Sequence, residues 1–251
     1  MQAMIFAAGM GTRLKPLTDT MPKALVTVGG QPLIRRVIAR LKEAGATRIV
    51  VNVHHFANQI VSYLHDNDNF GTDIRISDET AQLLETGGGI KKAAPLFKAD
   101  EPILIHNVDI LSNVDLAELY TFAAVEEEGK AKADAVVLVS NRVTKRYLLF
   151  DDDMNLVGWT NVETGEVKSP YPQLDVAKCQ RFAFAGIHVV SPRLFKLMDT
   201  FPDKFGIIDF YLSICATHHV RGYVKTDLKL MDIGKLDTLH QAEAFLSELE
   251  H

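Results

Sequence analysis

Met4-Ile5-Phe6-Ala7-Ala8-Gly9-Met10-Gly11-Thr12-Arg13-Leu14-Lys15-Pro16-Leu17-Thr18 is an apolar run that empties into a glycine-rich turn. Arg13 closes that turn, and Pro22-Lys23-Ala24-Leu25 adds a second cation ten residues on. Small residues let backbone N–H groups approach anionic oxygens. Two fixed cations neutralise them. The stretch therefore predicts a buried strand whose carboxyl end opens into a polyphosphate site. Two familiar phosphate loops do not fit it. The Walker pattern needs Gly-Lys-Ser/Thr, and Gly11 is followed by Thr12-Arg13-Leu14. The dinucleotide fingerprint needs Gly or Ala where Leu14 stands. An NAD-dependent oxidoreductase would also need an acidic residue near the end of the second strand, where Val51-Asn52-Val53-His54 has none.

Outward from this stretch the pattern alternates. Gln2–Phe6, Arg48–Val53, Asp73–Ser77, Pro102–Val108 and Ala135–Ser140 read as strands. Between them, helical spacing marks Pro32–Ala44, Ala57–Asp66, a helix starting at Gly89, and Asp115–Glu128 ending at Gly129. Such alternation predicts an α/β fold, a Rossmann-like, mostly parallel mixed sheet with helices on both faces. Ligands then sit beyond the carboxyl ends of the strands. After about residue 140 the pattern changes. Tyr147–Phe150 and Leu156–Trp159 read as a hairpin, Phe182–Val190 and Tyr223–Met231 as strands, and Pro192–Met198, Ile208–His218 and Leu236–Glu250 as helices. No linker or repeat divides residues 1–251, so one domain is expected.

The net charge is −5, and no lysine/arginine-rich block occurs. Nucleic acid and membrane surfaces are thus not expected partners. No apolar stretch reaches the roughly 18 residues of a membrane span. Cys179 and Cys215 have no metal-ligand spacing, which predicts a reducing, cytoplasmic setting and a buried thiol at Cys215. His54-His55 and His218-His219 read as structural or surface pairs.

The longer string G-x-G-T-R-L-x-P-L-T, with P-K-x-L after it, resembles the signature of the sugar-1-phosphate nucleotidyltransferases. The nucleotide-diphospho-sugar transferase fold is what this resemblance implies, with about 1–135 as the nucleotide-binding half and about 136–251 as the sugar-binding half. It implies Arg13 and Lys23 as catalytic cations, and Ala7, Ala8, Gly9, Gly11 and Thr12 as the phosphate turn. Asp109 and Asp232, the latter in Met231-Asp232-Ile233-Gly234, would hold Mg²⁺ or Mn²⁺. Val108 stands where the family usually has glycine. The segment Leu83-Leu84-Glu85-Thr86-Gly87-Gly88-Gly89-Ile90 is most similar to the uridylyltransferases acting on N-acetylmuramate 1-phosphate. Glu85, Thr86, Gly87 and Asn107 would there meet the nucleotide, the glycines lying before a helix as bare backbone.

Gly186, Trp159 and Asp209 are the expected sugar contacts, with a core role for Trp159 and a surface role for Asp209 left open. The substrates implied are an NTP, UTP first, and an amino-sugar or hexose 1-phosphate. Guanylyl transfer to mannose or heptose 1-phosphate comes next, then thymidylyl transfer to glucose 1-phosphate. A non-catalytic nucleotide-sugar sensor is the reading from another class. The expected assembly is a monomer or small homo-oligomer.

Overall fold

The computed structural model describes residues 1–125 and 132–249. β1 (Gln2–Phe6) leads into the glycine turn, and a small hairpin of β2 (Thr27–Val28) and β3 (Gln31–Pro32) precedes α1 (Leu33–Glu43). Then come β4 (Arg48–Val53), α2 (Ala57–Asp66), β5 (Asp73–Asp78), α3 (Glu85–Ala93) and β6 (Ile103–Asn107). β7 (Ile110–Ser112) and α4 (Leu116–Ala124) follow, before β8 (Ala135–Ser140), β9 (Arg146–Phe150), β10 (Leu156–Asn161), β11 (Val167–Lys168) and the long β12 (Gln180–Val190). α5 (Phe195–Met198), α6 (Ile207–Ile214), β13 (Val220–Val224), β14 (Leu230–Asp232) and α7 (Leu236–Leu249) complete the order.

The spine of the sheet runs β5-β4-β1-β6-β12-β8-β13. β5, β4, β1 and β6 are parallel, β12 is antiparallel to both β6 and β8, and β13 is parallel to β8. All these strands but β12 therefore point one way. β9 joins the first residues of β12, and β10 and β11 continue antiparallel from it. The period-two alternation of side chains sorts residues into two cores. Ala3, Ile5, Ile49, Val51 and Leu104 face the layer shared with α1, α2, α4 and α7. Met4, Val50, Ile103 and Ile105 face the layer shared with α3, α5 and α6. α1 shows why such helices bury one stripe: Leu33, Ile34, Val37, Ile38 and Leu41 are all buried at helical spacing. Gly45, at φ 90, stops it. α4 starts where the Asp115 carboxylate accepts from the Ala117 and Glu118 N–H groups, both at 2.9 Å.

Several expected boundaries move, α6 among them, which ends at Ile214 and not at His218. The run Tyr223–Met231 is not one strand. β13 ends at Val224, Lys225 pairs with Asp227 at 2.6 Å in a turn, and β14 then pairs with β7. Asn113 fixes that turn, accepting from Lys229 N–H at 2.8 Å and donating to Asp227 O at 2.9 Å. The helix expected at Gly89 begins at Glu85, so the glycines lie within it. Val125 is already extended after α4, and the remainder of the run expected to reach Glu128 and Gly129 lies outside the described residues.

Candidate active site

The carboxyl ends of β1, β4 and β6 enclose a cavity of about 510 Å³. Ala7, Ala8, Gly9, Gly11, Thr12, Arg13 and Lys23 line it, and so do Glu85, Thr86, Asn107, Val108, Asp109 and Gly234. Gly11 has a conformational reason to be glycine. Its φ is +62, and a Cβ there would lie 2.8 Å from Thr18 Cγ2. The Gly11 carbonyl accepts from Thr18 Oγ1 and from Leu14 N–H, both at 2.8 Å, which holds the turn shut behind Arg13.

Two groups that sequence reasoning missed build the floor. Asn52 and Glu79, 1% and 0% exposed, both line the cavity. Asn52 Oδ1 accepts from the N–H groups of Ala7 at 2.7 Å and Ala8 at 3.2 Å. Its Nδ2 donates to Glu79 Oε1 at 2.8 Å, and Glu79 Oε2 accepts from Leu84 N–H at 3.1 Å. One buried pair thus ties the phosphate turn to the segment that starts α3. The available signal was a polar residue near the carboxyl end of an apolar parallel strand, where open α/β sheets bind ligands.

Asp109 and Asp232 are distant in sequence but adjacent in space. β14 pairs with β7 so that Asp232 sits opposite Ile110, and Ile233 N–H donates to Asp109 O at 2.8 Å. Lys23, 8% exposed, forms an ion pair with Asp109 Oδ2. Asp232 Oδ1 is buried and has no hydrogen-bond partner among the described residues. Burial, and then the charge of Asp109, push the Asp232 carboxyl above the usual carboxylate range, against the pull of Lys23, Arg13 and Arg142. An orphaned acceptor beside a second carboxylate suits a divalent cation, which would relieve both penalties. Among the described residues no three acidic, histidine or cysteine side chains cluster as a metal group. A pair of carboxylates fits Mg²⁺, which takes its other ligands from phosphate and water. A Cβ at Gly234 would lie 2.8 Å from both Arg13 Nη2 and Asp232 Oδ1, so this glycine lets the cation and the carboxylate share one wall.

The α3 segment departs from expectation. The N–H groups of Gly87 and Gly88 both donate to Phe205 O, at 2.9 and 3.1 Å. Thr86 Oγ1 accepts from Ile207 N–H at 2.9 Å. Gly87 is buried away from the cavity, and a Cβ there would lie 2.3 Å from the Phe205 ring. Gly87 and Gly88 therefore serve close packing of α3 on the loop before α6, whereas a Cβ at Gly89 would lie 2.9 Å from both Glu79 Oε1 and the Phe6 ring. Gly88→Ala should destabilise most simply, because its Cβ would fall 2.0 Å from the Asp203 carbonyl oxygen. A loss of about 1–3 kcal/mol is expected from such overpacking, read as a lowered urea midpoint at unchanged slope. An unchanged midpoint would refute the packing role. Glu85 itself keeps its backbone at φ 63, uncommon for a side-chain-bearing residue, at the rim of the cavity.

Val108 is 4% exposed and packs into the α1–α2 core layer, so the valine is absorbed by the interior. Gly186, at φ 77, lies where β12 slips register against β8, and a Cβ would lie 2.9 Å from Asn107 Nδ2. Trp159 and Asp209 line a second cavity of about 500 Å³, with Arg142, Arg146, Lys168 and Phe184. Asp209 pairs with Lys168 at 3.1 Å, and Lys168 Nζ stands 5.3 Å from the Trp159 ring centroid. His54 Nδ1 hydrogen-bonds Glu79 O at 2.7 Å, a structural contact. Cys215 is buried, and desolvation pushes its thiol up to about 11.

Over residues 2–248 the chain matches the family model described as nucleotidyl transferase. The N-acetylmuramate alpha-1-phosphate uridylyltransferase of Caulobacter vibrioides is 31% identical across 98% of this chain and 97% of that protein. The protein of the same name from Neisseria meningitidis serogroup B is 45% identical over 49% of this chain, a match that spans 53% of the relative. In fold, the inositol-1-phosphate CTP transferase of T. maritima superposes with a TM-score of 0.76 at 15% identity, over 100% of this chain and 96% of that one.

Proposed function

The chain belongs to the nucleotidyl transferase family, and from that premise we propose that it transfers a uridylyl group from UTP to an amino-sugar 1-phosphate, releasing pyrophosphate. The observation that carries this reading is the convergence of Arg13, Lys23 and Asp109 on the cavity at the carboxyl ends of the parallel strands, with Asp232 of β14 beside them. UTP and the amino sugar are supported by the names of the two relatives and by Glu85 at the cavity rim.

A sugar-phosphate oxygen attacks the α-phosphorus, forming one P–O bond as the bridging bond to the β-phosphate breaks. Two anions must meet for this, so charge neutralisation and positioning supply most of the rate. The Arg13 fork suits bidentate contact with the departing pyrophosphate. Lys23 is a point charge for the α-phosphate, and its ion pair with Asp109 holds it at the cavity edge beforehand. Backbone N–H groups of the glycine turn face the remaining phosphate oxygens. Asp109 and Asp232 would hold Mg²⁺ or Mn²⁺, which when bound neutralises phosphate charge and orients the triphosphate. Among the described residues no helix is long and apolar enough to cross a membrane. Two free cysteines fit a cytoplasmic setting.

The test is pyrophosphate release across UTP, GTP, CTP, ATP and dTTP against hexose, hexosamine, muramic and heptose 1-phosphates. Release should require both substrates, be greatest with UTP and an amino sugar, and be abolished by EDTA and restored by added Mg²⁺. Tight nucleotide binding with no release in any combination would instead leave a sensor.

A further inference from the structure

The strand order β1-β6-β12-β8 sets out a line of groups along one edge of the sheet. The glycine turn with Arg13 follows β1, and Asn107 ends β6 two residues before Asp109. Gly186 of β12 comes next, where a Cβ would lie 2.9 Å from Asn107 Nδ2. β8 runs parallel to β6 and ends at Ser140 on the same edge, and Arg142 stands two residues beyond it. Arg142 is exposed and lines the cavity of Trp159 and Asp209. Its Nη2 donates to Phe184 O at 3.1 Å, two residues before Gly186, and it forms no ion pair among the described residues. Its charge nevertheless reaches the first cavity, since it acts on Asp232 together with Lys23 and Arg13.

The charges of the first cavity leave something to be supplied. Arg13 and Lys23 face Asp109 and Asp232, two cations against two carboxylates. A divalent cation there is matched by the triphosphate it orients. The acceptor then brings a second phosphate of about −1.5 to −2 at neutral pH. Attacking and leaving oxygens lie roughly in line through the phosphorus. Pyrophosphate departing towards the glycine turn and Arg13 therefore puts the attacking phosphate on the opposite side, towards Gly186 and the loop after β8. Arg142 is the unpaired cation placed there. Its present partner is one neutral carbonyl oxygen, whereas a phosphate offers its planar fork two charged ones.

We infer that Arg142 grips the attacking phosphate of the sugar 1-phosphate, a third catalytic cation on the side opposite Arg13. It exchanges Phe184 O for phosphate oxygens as the acceptor enters. The guanidinium gives up no proton. An anionic oxygen attacks, its bond to the α-phosphorus forms as the bond to the β-phosphate breaks, and the electron pair leaves with pyrophosphate. The inference rests on the transfer reading but not on the identity of base or sugar, because the contact is to the phosphate that every such acceptor carries.

Arg142→Ala should raise KM for the sugar 1-phosphate by about 10–100-fold, the range of a hydrogen bond between charged groups. KM for UTP should stay within about twofold. The factor should be the same for hexose and hexosamine 1-phosphates. Arg142→Lys, or guanidinium ion added to the alanine variant, should recover part of the loss, and the melting temperature should not move because the side chain is exposed. Unchanged kinetics, an equal rise in KM for UTP, or a loss confined to one sugar would each overturn the inference. Absence of release by the unsubstituted chain is the separate failure of the transfer reading. Calorimetric titration of the sugar 1-phosphate onto the chain holding a non-hydrolysable UTP analogue reads the contact without turnover. There Arg142→Ala should weaken binding about 10–100-fold, and an unchanged Kd would overturn the inference whether or not release occurs.

Discussion

Lys23→Ala and Asp232→Ala should each lower kcat by about 10²–10³-fold, the usual effect of removing one preorganised charge from a site where charge develops. Both act within one cluster with Asp109, so the double variant should lose far less than the product of the single losses. The two should part company in stability. Asp232 keeps a buried oxygen without a partner among the described residues and a carboxyl held above its usual range by burial and by Asp109. At neutral pH such a group disfavours the folded state, since the unfolded chain ionises it more readily. Asp232→Ala should therefore leave the metal-free melting temperature equal or higher while activity collapses. Lys23→Ala removes the cation beside two carboxylates and should lower that temperature. Scanning calorimetry with single-turnover kinetics reads both. Near-normal turnover in both variants would sink the site assignment, and a marked fall in melting temperature for Asp232→Ala would sink the account of its burial.

Asn52→Leu carries the second large effect, on folding. It strips the Ala7 and Ala8 N–H groups of their acceptor and leaves the Glu79 carboxylate, 0% exposed, without its amide donor. Breaking a buried charged contact from one side costs about 3–5 kcal/mol. For a chain of this size that is a fall in melting temperature of roughly 6–20 °C. Glu79→Gln keeps one acceptor for Asn52 and loses the one for Leu84 N–H, so about 1–3 kcal/mol is expected from the milder change. The ranking is the check. Equal effects, or an Asn52→Leu chain as stable as the parent, would mean that the pair does not hold the turn to the α3 segment.

The sequence was most legible where local chemistry and periodicity coincide. Gly11 needs a left-handed backbone, and its place after an apolar run identified the turn directly. The parallel strands announced themselves because strands buried on both faces read as near-continuous apolar runs. Legibility failed where a residue's role depends on a distant partner. Asn52 and Glu79 are individually ordinary, and only their meeting across β4 and the segment after β5 makes them a floor. The glycines of α3 looked like a loop because glycine weakens helices. The cause of Gly87 and Gly88 is Phe205 and Asp203, more than a hundred residues on, and that of Gly89 is Glu79 and Phe6. Tyr223-Val224-Lys225-Thr226-Asp227-Leu228-Lys229-Leu230-Met231 alternates well enough to pass for one strand. The turn within it is fixed by Asn113, from the far side of the chain.

The ribbon of β7 and β14 also sets a timetable. Asp109 and the phosphate turn are synthesised well before Asp232, which arrives on β14 more than a hundred residues later. Domains generally assemble from the amino terminus during synthesis, at about 5–20 residues per second. A ribosome-bound chain arrested before Leu230 should thus present the nucleotide cradle without its second carboxylate, able to hold a triphosphate and unable to consume it.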